Sequence, residues 1–240
     1  MSQRSGGQYT SPSLAPEAMR DPSTQQSADV YVGPLDLYAD ALHTEQPKLS
    51  LGYPDGRQLP LEVHRWRQAA DATDEALLDH CTGPVLDVGC GPGRLLIALA
   101  RRGVPALGVD VTRAAVDLAT AAGATVLHAS VFDPVLDEGH WQTAILADGN
   151  IGIGGDPPAL LRRIRHLLAP GGTLLLETEH GDIYEQEHQV RLDDGSGRRS
   201  APFRWARVGT TAARTISLRA GYRPRQAWSV GERNFLALTR

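Results

Sequence analysis

A strand that empties into closely spaced glycines leaves few folds open to a chain, and this one has such a strand at Val85-Leu86-Asp87-Val88-Gly89-Cys90-Gly91-Pro92-Gly93-Arg94. The apolar residues before Gly89 suit a buried strand. The stretch Arg94–Arg102 that follows reads as a helix, with Gly103 placed to stop it in the left-handed conformation. Glycines at the turn let a ligand approach the backbone where a side chain would obstruct it. Strand, glycine turn and helix in that order open a strand-helix-strand unit and so a parallel sheet.

The rest of the chain continues the alternation. Strands are expected at Ala106–Val109, Thr125–His128, Thr143–Leu146 and Thr173–Glu177. Helices are expected at Arg113–Ala122, capped by Thr112, and from Asp156-Pro157 to Leu168, where Pro170-Gly171-Gly172 ends the helix. A helix at Thr210–Ala220 and an antiparallel pair, Arg223–Val230 with Asn234–Thr239, close the domain. Ahead of it, the spacing of Trp66, Ala69, Ala70, Thr73, Ala76 and Leu77 predicts one helix ending near Cys81, preceded by a short helix Leu35–His43 and a hairpin over Leu49–Val63 turning at Pro54-Asp55-Gly56. Residues 1–28, rich in Ser, Gln, Gly and Pro, are expected to be a disordered tail, 29–65 a helix and hairpin cap, and 66–240 the main domain. At 240 residues and 41% hydrophobic content the chain builds one α/β core with helices on both faces of the sheet.

The chemistry of the turn is sharpened by Asp110, which closes the next strand 21 residues after Gly89, where a carboxylate can accept hydrogen bonds from a ribose diol. The glycine spacing is G-x-G-x-G rather than the G-x-G-x-x-G of dinucleotide sites, and Asp87 stands two residues before the first glycine. A carboxylate there opposes a pyrophosphate and suits the cationic amino-acid end of a sulfonium cofactor, or else satisfies backbone groups at the turn.

VLDVGCGPGR, then GVDV, then LLRRIRHLLAPGGTLLLE resemble the glycine motif, acidic second strand and late helix-strand unit of class I S-adenosylmethionine-dependent methyltransferases, a likeness that covers roughly residues 65 to 240. The resemblance implies a seven-stranded, mostly parallel sheet with an antiparallel last strand. It implies S-adenosylmethionine as cofactor, with Gly89, Cys90 and Gly91 under its methionine part, Asp110 on the ribose and Val111 on adenine, and with Asp87 and Gly93 among the cofactor-binding residues. Where the family often has an acid or small polar residue beside the adenine amino group, this sequence offers Ser130, followed by Val131 and Phe132 as flat or apolar partners; Ala147 closes the cofactor set at the end of the fourth strand. Arg65 is either a partner for the cofactor carboxylate or a solvated arginine.

In an open parallel sheet the acceptor meets the carboxyl ends of the strands. After the fourth strand, glycine fills four of the nine positions 147–155, which permits close approach to a ligand, and Asp148 or Asn150 can orient a nucleophile. After the fifth, His180 among carboxylates is a candidate general base or an ordinary surface histidine. The acids and histidines match no zinc spacing, so no metal is expected. The net charge of −4 and the absence of an Asn/Asp-Pro-Pro-aromatic motif point away from nucleic acid and toward a small-molecule acceptor. No apolar run approaches the roughly 18 residues of a membrane span, and two cysteines, Cys81 and Cys90, make no disulfide framework; a cytoplasmic location is the expectation. Two other classes share these motifs: a cofactor-binding scaffold without transfer activity, and the same fold running a non-methyl reaction.

Overall fold

The computed structural model describes residues 31–240, apart from the side chains of residues 186–188; the tail 1–28 lies outside the described residues. The first elements are β1 (Tyr31–Val32), α1 (Pro34–His43), β2 (Ser50–Gly52), β3 (Gln58–Pro60), α2 (Val63–Trp66) and α3 (Ala72–Leu78). The alternating part runs β4 (Val85–Val88), α4 (Arg94–Arg101), β5 (Ala106–Asp110), α5 (Arg113–Ala121), β6 (Val126–His128), β7 (Trp141–Leu146), α6 (Pro157–Leu167) and β8 (Leu168–Thr178). The chain ends with β9 (Tyr184–Asp193), β10 (Arg199–Ser200), β11 (Phe203–Val208), α7 (Thr210–Arg219), β12 (Arg223–Val230) and β13 (Arg233–Thr239).

Seven strands form one sheet in the order β12-β13-β8-β7-β4-β5-β6. The five from β8 to β6 are parallel, and β13 is antiparallel to both β8 and β12. This is the α/β arrangement anticipated from the sequence. Successive side chains of a strand face opposite ways, and the two faces separate cleanly. Val85, Ile145 and Leu175 pack under Leu95 and Leu99 of α4 and Leu77 of α3. Leu86, Leu146 and Leu176 pack under Leu160 and Ile164 of α6 and Ile216 of α7.

Three local expectations differ. The single helix from Trp66 to Cys81 is two helices, because Asp71 and Asp74 make a reciprocal capping box that starts α3 afresh: Asp71 accepts from the Asp74 amide at 2.9 Å and Asp74 from the Asp71 amide at 3.0 Å. Thr112 sits at the cap of α5 but its side chain makes no cap bond; it is engaged with Asp110, whose carboxylate also accepts the Thr112 amide at 2.7 Å. The fifth parallel strand starts at Leu168 instead of Thr173; Trp141 pairs with Leu168 and Thr143 with Thr173, with Pro170-Gly171-Gly172 in the irregular stretch between the two pairs.

A second sheet lies over the carboxyl ends of the first. The expected hairpin forms its edge, β2 pairing with β3 through Leu51 and Leu59 around the turn at Asp55-Gly56. The other side of β2 pairs with β9, Leu51 opposite Leu192, and β9 carries both β10 and β11. Residues before the main domain and residues near 190 thus build one cap, whose core of Leu37, Leu42, Leu51, Val190 and Leu192 rests on Ala115 of α5. Among the described residues no helix is long and apolar enough to cross a membrane.

Candidate functional site

A cavity of about 480 Å³ opens where the cap meets the ends of β4, β5 and β7, within the range of about 300–1,000 Å³ usual for small-molecule sites. Its floor is the glycine turn. Gly89, Cys90 and Gly91 line it, and Gly91, at a φ of +53°, holds a conformation a side chain would strain. Asp110 braces this turn from the next strand, accepting the Gly91 amide at 2.9 Å on one oxygen and the Thr112 amide on the other. Burial raises its carboxyl above the usual range while these two amides pull it down. Each oxygen keeps a further lone pair for a hydroxyl. Gly93 is placed differently from the other glycines: it does not line the cavity, and a Cβ there would stand 2.9 Å from that of Ala119, so it lets α4 approach α5.

Asp87 lines the cavity from the last turn of β4 with its carboxylate almost fully buried. Its Oδ2 has no hydrogen-bond partner among the described residues, so it does not serve the backbone of the turn. Burial pushes its pKa up to about 7; Arg94 lowers it, and Asp148, Asp110 and Asp74 raise it further. An orphaned buried acid beside a glycine turn has an oxygen available to a cationic group. Burial, with Asp87 and Asp110 nearby, drives the Cys90 thiol pKa far up and so disfavours its thiolate.

Beyond Asp110, Val111 lines the cavity with its side chain 45% exposed, and its carbonyl meets the His128 ring at 3.0 Å. Ser130 and Val131 line the same wall, the Ser130 hydroxyl accepting the Phe132 amide at 3.2 Å. Phe132 stands off the wall, its ring 3.3 Å from where a Cβ on Gly154 would be. Arg163 of α6, which the sequence did not single out, anchors this loop by donating to the carbonyls of Val131 at 2.8 Å and Asp133 at 2.6 Å. Ala147 is buried in the wall between the glycine turn and the acceptor side.

On the acceptor side Asp148 and Asn150 both line the cavity, held by the protein. Asp148 accepts from Arg65 at 2.6 Å and from Arg94, while its amide donates to Glu177 at 2.6 Å. Arg65 also meets Asp74 at 2.9 Å, and Arg233 joins Asp74 and Glu177, each at 2.7 Å. Arg65 is thus neither a solvated arginine nor free for a ligand carboxylate. Asn150 donates from Nδ2 to the carbonyls of Val88 and Gly89, both at 2.9 Å, and so clamps the glycine turn to the loop after β7. His180 is exposed, does not line the cavity, and turns its ring to Asn234 at 3.0 Å.

The glycines after β7 divide between two uses. Gly149 and Gly154 line the cavity, whereas a Cβ on Gly152 would fall 2.7 Å from the Trp205 ring and one on Gly155 2.8 Å from Arg204 Cβ. The latter pair lets β11 lie against the end of β7, where Ile153 and Trp205 form an isolated bridge. Tyr38 of α1 was also missed by the sequence reading. It lines the cavity with its Oη 3.4 Å from the position of a Cβ on Gly91, stacks edge-on with Trp66 at 6.0 Å, and makes no hydrogen bond through that hydroxyl among the described residues. Burial, with Asp110, Cys90 and Asp148 around it, raises its pKa well above that of a free phenol.

No curated protein sequence matches the chain. A methyltransferase from Bacteroides fragilis, solved with S-adenosyl-L-homocysteine, is 20% identical at a TM-score of 0.71, covering 86% of this chain and 94% of its own. A Burkholderia thailandensis 1,6-didemethyltoxoflavin-N1-methyltransferase is 17% identical at 0.52, covering 70% and 76%. The CcbJ methyltransferase from Streptomyces caelestis is 16% identical at 0.55, covering 73% and 91%. The family model for the methyltransferase domain matches residues 61–202, more than half of the 240 residues, so the chain belongs to the methyltransferase-domain family and has the class I fold of S-adenosylmethionine-dependent enzymes.

Proposed function

We propose that the chain transfers the methyl group of S-adenosylmethionine to oxygen, nitrogen or carbon of a small molecule. One observation carries the reading: the buried Asp87 carboxylate has an unpartnered oxygen in the same cavity as the braced Asp110 and the bare Gly89–Gly91 turn. The residues present fit the cofactor. Asp87 suits its cationic amino-acid end and Asp110 its ribose diol, while Val111, Ser130 and Val131, with Phe132 behind them, suit the adenine. When bound, the cofactor supplies an already activated methyl on a sulfonium. The protein's share is to align and to exclude water. Asn150 and Asp148 act here as positioning residues, one fixing the turn and the other the loop beside it. His180, outside the cavity, has no part in this scheme.

The seven-stranded sheet and its helices supply the cofactor half, and residues 31–65 together with β9 to β11 roof it. The roof favours a small acceptor over nucleic acid or a membrane surface, and the setting that suits the two unpaired thiols is the cytoplasm. Titration calorimetry with S-adenosylhomocysteine tests the cofactor half. Asp110→Ala should weaken binding about 10- to 150-fold, the worth of one charge-assisted contact at about 1.5–3 kcal/mol. Unchanged affinity in a folded variant removes Asp110 from the site.

A further inference from the structure

Resting on that reading, we propose that the chamber beside the glycine turn takes an acceptor whose buried part is an uncharged, ring-shaped apolar group. The chamber is walled on the cap side by Leu51, Leu59, Leu192, Trp66, Phe203 and Trp205, drawn from β2, β3, β9 and β11 of the second sheet and from α2. Phe203 and Trp205 meet edge to face at 6.3 Å, as Trp66 and Tyr38 do, so flat surfaces stand on two sides of the space. Aromatic walls of this kind favour flat ligands through offset or edge-on packing.

Charge narrows the choice. Each ionised group of the wall on this side is already matched by the protein. Glu179 takes two bonds from Arg207, at 3.1 and 2.9 Å. Asp148 lies between Arg65 and Arg94; Arg94, whose Nε has no hydrogen-bond partner among the described residues, has its charge set between Asp148 and Asp74, and Arg204 is not without a partner. The orphaned acid, Asp87, is at the glycine turn and belongs to the cofactor. A cationic or anionic acceptor entering this chamber loses its water and gains no counter-charge, which selects against it. A neutral acceptor loses little, and the Tyr38 hydroxyl offers its polar atom a hydrogen bond.

The test uses the full chain and three near-isosteric probes: 2-naphthol, 2-naphthoate and 2-naphthylmethylammonium. Calorimetry first measures S-adenosylhomocysteine, and each probe is then titrated into the protein saturated with it. 2-Naphthol should bind at least tenfold more tightly than either ion. Leu59→Asp, which places a carboxylate at a half-buried wall position, should weaken 2-naphthol tenfold or more and bring the ammonium probe to equal or higher affinity. Equal or tighter binding of either ion by the unaltered protein overturns the inference. So does failure of all three probes while S-adenosylhomocysteine binds, and in both cases the methyl-transfer reading stands. If S-adenosylhomocysteine does not bind the folded protein, the reading beneath the inference falls and takes it along.

Discussion

Asp87 concentrates the chemistry of the site in one residue. It stands at the end of a buried strand, where its neighbours are chosen for packing, and its raised pKa comes first from burial and then from the surrounding acids, against the pull of Arg94. At about 7 that value places half of the free protein in the protonated form near neutrality. A cationic ligand group favours the ionised form, so cofactor binding should expel the proton. The sign is then fixed: affinity for S-adenosylmethionine rises as pH climbs toward 7 and levels off above it, with about a tenfold loss for each pH unit below. Calorimetry between pH 5.5 and 8.5 in two buffers of different ionisation heat reads both the slope and the released proton. In Asp87→Asn the slope should vanish, and a flat profile in the unaltered protein would remove Asp87 from contact with the cation. This acid, like Asp110, was legible in the sequence because each is a charge at a fixed sequence distance from the glycine turn, Asp87 on the strand that leads into it and Asp110 at the end of the next. Tyr38 was not legible, because nothing near it in the chain says that α1 folds back over Gly91.

Between elements, the charged cluster is what joins the cap, the cofactor half and the last strand. Asp74 at the start of α3 gathers Arg65 from α2, Arg94 from α4 and Arg233 from β13, and Asp148 and Glu177 at the ends of β7 and β8 complete it. Burial raises the Asp74 pKa, but hydrogen bonds from Arg94 and Arg233 outweigh it and hold the carboxyl near 2, below the ordinary 3.8. The folded protein therefore keeps Asp74 ionised after the unfolded chain has protonated it. Its stabilisation, about 2 kcal/mol, is complete above pH 4 and is lost as pH falls from about 4 to 2. Removing the charge outright is harsher, since arginines then lie buried against a neutral side chain. Asp74→Asn should cost about 3–5 kcal/mol, a fall of roughly 6–20 °C in Tm, with a shallower acid limb than the unaltered protein. Scanning calorimetry at pH 7 and pH 3 checks both, and a Tm within about 2 °C at pH 7 would show that the arginines are satisfied without it. The sequence could not announce this cluster. Arg65 and Asp148 are 83 residues apart and Asp74 and Arg233 159, and in a sequence each reads as a surface charge. The glycines after β7 misled for the same reason, since two of them answer to the Trp205 ring and Arg204 on β11 and not to a ligand.

At the scale of the whole molecule, the order of strands decides how the protein comes apart. β2 and β3 precede the main sheet in the chain and β9 to β11 interrupt it between β8 and β12, yet they pair with one another, Leu51 against Leu192. Neither stretch has a complete core alone, because Leu51 and Val190 bury each other's cluster and Ala115 of α5 closes it from the main domain. Asn150, bonded to Val88 and Gly89, and Ile153, bridged to Trp205, then tie the cap to the floor of the cavity. The cap and the main sheet should therefore melt in one transition, with calorimetric and van't Hoff enthalpies equal. Because the cavity lies between the two sheets, a ligand there stabilises both. S-Adenosylhomocysteine at about 100 times its Kd should add about 2.7 kcal/mol and raise the single Tm by roughly 5–11 °C. Hydrogen exchange gives the spatial form of the same expectation, with slower exchange at Leu51 and Leu192 in the cap as well as at Val88 and Val109 in the main sheet. Two resolved transitions, with only the upper one moved by ligand, would mean that the cap is a separate unit and that the cavity is held open by the main sheet alone.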